Sequence, residues 1–556
     1  MYRIKICLIF LLVTTSFVFS QVETIPADHP VYPFLKNMYL KGALSKYSDI
    51  VLPLSKGTVI NYLSEIEKSS YLLSASEKEF LCRMEVKMGM KNENPMSFVN
   101  HFPSGLIDGF RKYSEKHLYS FTDSTAKFYV DLIGDVSYLY SDIYHDYSIL
   151  LNAGGQLYGT YSDWLGFLLE GSNGTQYHNR QVAELDPRVK TSFTFNETRI
   201  NFFDHTQGYL RLQKDAVNFE LGRERILWGI GYVDRMVLSD NPPLFDFLKF
   251  HISYKSLRYD FIHAWLVQPF KTVFIDSVTG YVKQKGSKYL AISRLGMTPI
   301  PDLEFGISQM IIYANRPFEA AYLNPFLFWE SAQRSLGDLD NSFLSFDLRY
   351  KIFNGFETSG SMIWDDILFS ALFKGEFDKI NNRSTWKAGV ILADPILPSN
   401  TDLKIEYQQV RPFTFSHPGI GESLTYTNNT YLLGTNLQPN STAISSEFNY
   451  LLNGNINFKF RYSHILHGRN IYDENGNLIK NVGGNILETI GYDYNTLIAP
   501  LLDGILEMTD QYSFFVRDEI QYGLYLNLIF NYSSTRAEGK SQSQSSAFIQ
   551  FNLYFR

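Results

Sequence analysis

The chain has 556 residues, of which 19% are charged and 16% aromatic, with a formal net charge of −7. Charge falls below the usual share of about 25%, yet mean hydropathy is only −0.15, which excludes a bundle of membrane helices. The weakly acidic balance gives nothing to hold nucleic acid, and the two cysteines, Cys7 and Cys82, allow no thiol metal site.

Residues 1–20 read as a cleavable secretory signal. Arg3 and Lys5 supply the positive start, Ile6 to Phe19 is an apolar run too short to span a bilayer, and Val18 and Ser20 are small enough for cleavage after Ser20. Cys7 leaves with it, so Cys82 stands alone. Residues 21–118 read as a small helical domain. Asp28 is expected to cap a first helix, with Pro30 in its first turn, a Val31, Phe34, Leu35, Met38 stripe and Gly42 at its end. Ser55 opens a second helix with Val59, Leu63 and Ile66 inward. Ser76 and Glu79 read as the capping box of a third, ahead of Phe80, Leu81, Met84 and Met88. The polar, Pro/Gly-punctuated segment from Met90 to Ser124 reads as the connection.

From Thr125 the apolar period changes from 3.6 to 2. Phe128, Val130 and Leu132 alternate with Tyr129 and Asp131; Leu344 to Ile352, Leu403 to Tyr407, Ile456 to Tyr462 and Leu524 to Phe530 repeat the pattern. Runs of about nine to eleven residues suit tilted strands crossing a membrane, whereas soluble sandwiches use shorter ones. Asn354-Gly355 and Asn453-Gly454 are hairpin turns, and Lys214-Asp215 and Lys255-Ser256 look equally tight. Tight turns are expected on the periplasmic side and long loops outside. The last strand alternates Ala547, Ile549, Phe551, Leu553 and Phe555 with Gln550, Asn552, Tyr554 and Arg556. It is the kind of strand the barrel-assembly machinery engages, except that Arg556 stands where an aromatic is commoner. A soluble edge strand this apolar would invite aggregation.

One stretch departs from alternation. The strand Val217, Phe219, Leu221 runs into Gly222-Arg223-Glu224-Arg225, Trp228-Gly229-Ile230-Gly231 and Leu238-Ser239-Asp240-Asn241-Pro242-Pro243. A loop this dense in arginine, acid and tryptophan is either a binding element or a set of ion pairs bracing the barrel. Strict alternation would point Arg223 and Arg225 outward, so either the strand leaves the membrane before Arg223 or a bulge resets it. Gly229-x-Gly231 lacks the third glycine of a dinucleotide loop, and Gly419 to Ser423 misplaces the serine of a nucleophile elbow. The histidines, His417 and His464 among them, form no metal-ligating pair.

The Gly222-Arg223, Trp228-Gly229-x-Gly231 and Leu238-Ser239-Asp240-Asn241 blocks together resemble the signature of the Wzi family of capsule-assembly proteins, with Ile230 where a proline is expected. Leu323-Asn324-Pro325-Phe326 and the run from Glu406-Tyr407 to Arg411-Pro412-Phe413 resemble further blocks. The resemblance implies an all-β outer-membrane barrel of about 18 antiparallel strands over residues 119–556, a periplasmic helical domain, and a non-enzymatic function with no cofactor. That function is binding capsular or extracellular polysaccharide and holding it at the cell surface. A channel for solute or oligosaccharide uptake is the alternative, and an outer-membrane enzyme a third. Sugars are held by aromatic faces, amides, carboxylates and guanidinium groups. The expected glycan contacts are therefore Arg223, Arg225, Trp228, Asp234, Arg235, Asp240, Asn241, Glu406 and Arg411. Both long connections, Trp228–Leu248 and Ala314–Asn341, are expected to fold inward and narrow the bore, and outer-membrane lipid is the other expected partner.

Overall fold

The computed structural model describes residues 21–91, 96–97, 113–191, 201–268, 271–276, 280–337, 340–366, 373–376, 378–379, 382–395, 400–417, 421–488 and 498–556. The expected signal segment and most of the expected Met90–Ser124 connection lie outside these residues.

Three helices lead the chain. α1 (Val31–Lys41) follows Pro30, whose φ of −65° already suits a first turn, and His29 Nδ1 accepts the Val31 amide at 3.1 Å. The N-cap position therefore falls on Pro30, two residues after Asp28, and among the described residues Asp28 makes no capping bond to this helix. α1 ends at Gly42, where φ is +82°. α2 (Lys56–Lys68) starts from Ser55 as expected, its hydroxyl accepting from Thr58. α3 (Ala75–Lys87) does have a capping box, but Ser74 and Glu77 form it rather than Ser76 and Glu79. Ser74 is the residue that takes the extended conformation, and Glu77 reaches back to its amide at 2.8 Å. The three apolar stripes meet in one core that also takes in Ile391 of the barrel wall.

Eighteen long antiparallel strands close the barrel. They are β1 (Ala126–Ser141), β2 (Asp146–Tyr161), β3 (Leu165–His178), β4 (Asn201–Lys214), β5 (Val217–Arg223), β6 (Asp246–Tyr254), β7 (Leu257–Val267), β8 (Ser287–Ile300) and β9 (Leu303–Ala314). β10 (Asn341–Phe353), β11 (Phe356–Asp366), β12 (Arg383–Ala393), β13 (Thr401–Val410), β14 (Ser441–Leu452), β15 (Ile456–Arg469), β16 (Ile505–Gln521), β17 (Leu524–Ala537) and β18 (Lys540–Leu553) follow. β18 pairs back onto β1, from Ser546 opposite Ser141 to Leu553 opposite Gly134. A short strand, Tyr119–Thr122, extends the ladder along the start of β1. The expected alternation holds. Leu132, Val136, Leu348, Ile405, Phe460, Leu528 and Phe551 stand exposed on the outer face, while Asp131, Asp135, Glu406, Asn527 and Gln550 lie on the inner one.

Tight turns gather at one mouth. Asp215-Ala216 and Lys255-Ser256 are two-residue loops with φ near +50° at Asp215 and Lys255, and Asn354-Gly355 has φ +93° at Gly355. The helical domain sits against this mouth. The Gly355 amide donates to Leu40 O at 2.7 Å, and Lys41 bridges Glu77 and Asp394, each at 2.5 Å.

The two long connections behave differently. β5 and β6 are only 7 and 9 residues long, so the chain leaves the wall early and residues 224–245 fill part of the lumen. There Trp228 and Leu227 pair in antiparallel fashion with Val51 and Leu52 of the helical domain. Ile226, Trp228, Met236, Val237 and Leu238 pack with the inner faces of β6 to β11 and with residues 413–437 into an apolar core inside the barrel. The described part of the next connection, residues 315–337, does not fold inward as expected. It lies on the outer wall, where Tyr322 and Trp329 pack against Phe261, Ala291, Ile311 and Tyr313. Those wall residues alternate with Ile262, Ile292, Met310 and Ile312, which point into the lumen core.

Candidate functional site

The plug closes only one side of the lumen. Beside it lies a chamber of about 650 Å³, floored by the helical domain at Asp28, His29 and Phe34 and walled by β1 to β4 and β13 to β18. The polar phase of those strands supplies its surface: Asn152, Gln207, Asn449, Asn457, Asn527, Gln550 and Asn552 present amides, and Phe515 and Tyr554 present rings. Several polar atoms of this lining are buried without a hydrogen-bond partner, among them Asn152 Oδ1, Asn527 Oδ1, Ser172 Oγ and Arg517 Nε. A buried polar atom left unpaired costs roughly 1–3 kcal/mol, so such atoms mark where a polar ligand or water belongs.

The cations of the chamber divide into two groups. Arg188 pairs with Asp135 at 2.5 Å and Lys404 with Glu447 at 2.8 Å. Arg556, the unexpected C-terminal residue, turns inward, donates to Thr24 and lies 3.8 Å from Glu224. Arg225, Lys459 and Arg517 also face the chamber, and among the described residues none of these three forms an ion pair. Lys459 lies over the Phe515 ring and Arg517 over the Tyr525 ring, at 5.8 and 4.3 Å. Cation and aromatic face are thus held side by side at two points of one wall.

Burial raises two acids of the plug, Asp234 and Glu224. Burial, and then the Glu220 carboxylate, push the Glu224 carboxyl up to about 8, against the opposing pull of Lys249 and Arg556. A carboxyl raised in the folded state favours folding while it keeps its proton, and that contribution is lost as pH rises through the folded value. Glu224→Gln is therefore expected to flatten the fall in thermal stability between about pH 5 and pH 8 and to be more stable than the parent above that range. Heat-modifiable gel migration across pH reads both; a variant with the parent's pH dependence would exclude the assignment.

Most of the residues singled out in the sequence turn out to hold the plug. Trp228 is 0% exposed in the lumen core and presents no face to a sugar. Arg223 follows alternation outward and makes a two-pronged pair with Asp246 at 2.8 and 2.9 Å on the outer face. Arg225, two residues on, is turned inward because the chain has left the wall, and it lines the chamber with Asp240. Glu406 receives the backbone amides of Tyr232, Val233 and Asp234 at 2.5, 3.1 and 3.2 Å, with Lys387 at 3.3 Å. Asp234 caps Asn436, Arg235 donates to the carbonyls of Gly229 and Ile50, and Asn241 donates to Leu432 O. Arg411 donates to Asn382 O at 3.0 Å and to Asp378.

Glycine matters at two points of the same stretch. A Cβ at Gly231 would fall 1.7 Å from Asp234 O, and one at Gly222 would fall 2.4 Å from the Tyr209 Cβ. The first permits the tight turn under Glu406, and the second lets the inward Tyr209 pack beside the departing chain.

Residues the sequence reading did not single out are Lys459, Arg517 and the amides of β14 to β18. Their signal was present as the polar phase of each strand. What alternation could not say is which strands face open lumen and which face the plug.

A family model described as capsule assembly protein Wzi matches residues 135–544. A solved structure of Wzi, an outer membrane protein involved in group 1 capsule assembly in Escherichia coli and described there as a carbohydrate-binding β-barrel, is 13% identical. It aligns over 96% of this chain and 99% of its own, with a TM-score of 0.53. OprD of Pseudomonas aeruginosa (11% identity, 78% and 96% covered, TM-score 0.41) and OccAB2 of Acinetobacter baumannii (12%, 79% and 100%, 0.43) match more distantly. No curated protein matches the chain.

Proposed function

Because the chain belongs to the family of capsule assembly protein Wzi, we propose that it binds capsular or extracellular polysaccharide in the lumen chamber and holds it at the outer membrane, without catalysing a reaction. The observation that carries this reading is the set of three cations, Arg225, Lys459 and Arg517, which face one polar chamber and, among the described residues, form no ion pair with a carboxylate. Such groups suit an acidic glycan: guanidinium and ammonium for its charge, amides for its hydroxyls, and the Phe515 ring for its C–H faces. Of the residues expected from sequence, Arg225 and Asp240 are assigned to the glycan. Arg223, Trp228, Asp234, Arg235, Asn241, Glu406 and Arg411 are assigned to holding the plug and its surroundings.

The test is titration of purified protein with an acidic oligosaccharide prepared from the capsule of the producing cells. Arg517→Ala and Lys459→Ala are each expected to weaken binding about tenfold, the worth of one charge-assisted hydrogen bond, with unchanged heat-modifiable migration. Chemical reduction of the glycan's carboxyl groups should weaken binding to the parent and leave little difference between parent and variants. Equal binding by all three proteins would remove the chamber from consideration.

The same reading puts the tight-turn mouth and residues 21–118 on the periplasmic side, with residues 1–20 as the removed leader and β18 as the strand offered to the barrel-assembly machinery. The helical domain is joined to the wall by buried pairs, Lys87 with Glu519 at 2.6 Å and Asp49 with Arg349 at 2.6 Å. Burial alone would raise the Asp49 carboxyl, but Arg349, Lys36 and Arg235 hold it well below the usual carboxylate range. Protease added to intact cells should therefore leave residues 21–91 uncut, whereas the same protease should reach them once the outer membrane is permeabilised. Cleavage there in intact cells would reverse the orientation.

A further inference from the structure

Residues 315–337 cover the outer wall where the barrel would otherwise meet lipid. The wall beneath it is unlike the rest of the outer face. On β9 the outward positions read Ile307, Gln309, Ile311, Tyr313, and on β8 Leu295 is followed upward by Ser293 and Ala291. A glutamine facing acyl chains would carry unsatisfied groups, each costing several kcal/mol in hydrocarbon. Gln309 is instead satisfied by the connection: its Nε2 donates to Leu327 O at 2.8 Å and its Oε1 accepts the Trp329 amide at 3.0 Å. Tyr259 on β7 donates to Pro325 O and stacks on Phe326. The polar wall and the segment over it are complementary.

The opposite side of the segment is apolar. Phe326 is 79% exposed, Phe328 58% and Phe318 57%. Depth follows from register. Tyr259 lies level with Leu295 and, through it, with Ile307. Ile307 is seven residues below Ala314 at the loop end of β9, about 23 Å along a strand. Phe326 is thus carried well down the wall, beside the exposed Leu295, Ile307 and Leu348. The charges lie at the other end: Glu330 accepts from Ser342 at the start of β10 and pairs with Arg334 at 3.0 Å. An apolar tip below and an ion pair above is the polarity order of a segment dipping into a leaflet from its surface.

We propose that residues 315–337 form a flap docked on the outside of the barrel, whose exposed face of Phe318, Phe326, Leu327 and Phe328 contacts the acyl chains of the outer leaflet. Continuity with the lipid-facing belt on the same strands identifies the occupant as lipid. The geometry gives Gln309 a second role, as the latch that replaces lipid contact by two hydrogen bonds.

Spin labels read this directly. In a Cys82→Ser background, Phe326→Cys, Phe328→Cys, Leu295→Cys and Arg334→Cys are labelled singly and the full chain is refolded into dioleoylphosphatidylcholine vesicles. Collision rates with oxygen, which concentrates in lipid, are compared with those of a water-soluble nickel chelate. Labels at 326 and 328 are expected to favour oxygen as the label at 295 does, and the label at 334 to favour nickel. Labels at 326 and 328 that favour nickel would place the flap in water and overturn the proposal. Labels there shielded from both probes would also overturn it, assigning the face to a second copy of the chain. Adding Gln309→Leu should raise the mobility of the label at 326 severalfold; unchanged mobility would remove the latch role, and the labels at 326 and 328 test the lipid face whether or not that variant refolds.

Discussion

Trp228→Ala is expected to lose its folded, heat-modifiable band at a far lower temperature than the parent, with a cost of about 3–5 kcal/mol. The indole is completely buried among Ile50, Val51, Val237 and Leu238, and its backbone forms the pairing with Val51 that ties plug to helical domain. Truncation to alanine leaves a cavity in a core where the barrel wall cannot close in, because the wall strands are hydrogen-bonded on both sides. The indole nitrogen has no partner in its buried site, so the variant loses packing rather than a hydrogen bond, and Trp228→Phe should recover most of the stability. Glycan affinity measured below the melting temperature should stay within about twofold of the parent, a free-energy difference under 0.5 kcal/mol. A tenfold loss of affinity in a fully folded Trp228→Ala protein would return this residue to the binding site.

The second large effect is expected at Glu406. Its carboxylate gathers three consecutive backbone amides of the plug turn and the Lys387 ammonium. Glu406→Ala would strand the three amides in a buried site and leave Lys387 with only its bond to Asp234 O, at a cost of about 3–5 kcal/mol. The eighteen-strand ladder does not depend on that carboxylate, so the loss falls on the plug turn. In planar bilayers the parent should show no stable porin-sized steps, because apolar side chains fill much of the lumen. Glu406→Ala should show frequent, noisy openings while its barrel still migrates as a folded band. Glu406→Gln keeps one acceptor and should fall between the two. A quiet Glu406→Ala trace at unchanged melting temperature would mean that the plug is held by the lumen core alone.

Placement of the candidate residues follows one physical division. Alternation along a strand is a local property: each residue points opposite to its neighbours, so inward and outward faces could be assigned from residue types in β1, β10, β13, β15, β17 and β18 without knowing their neighbours. Helix ends were nearly as local. Ser55 and Gly42 mark theirs in the sequence, while the choice between Ser74 and Ser76 depended on which serine the preceding turn held extended. The stretch from Gly222 to Pro243 departs from alternation in the sequence itself, but residue type does not reveal what stands opposite its arginines and tryptophan.

By itself, then, the sequence determined the closed antiparallel wall, the tight turns, the N-terminal helices and the family. The first three follow from period, turn chemistry and short-range capping, and the family from the resemblance of the Gly222–Pro243 blocks. Only the tertiary structure decided that residues 224–245 enter the lumen while 315–337 lie outside it. It also decided that Trp228 is core, and that Arg517 and Lys459 rather than Arg223 and Arg235 face the chamber. These outcomes depend on complementarity between segments far apart in the chain: Trp228 with Val51, Glu406 with the amides of residues 232–234, Gln309 with Leu327 and Trp329. A polar residue on a face that should be apolar, such as Gln309, shows that something must cover it. Only the folded chain shows what does.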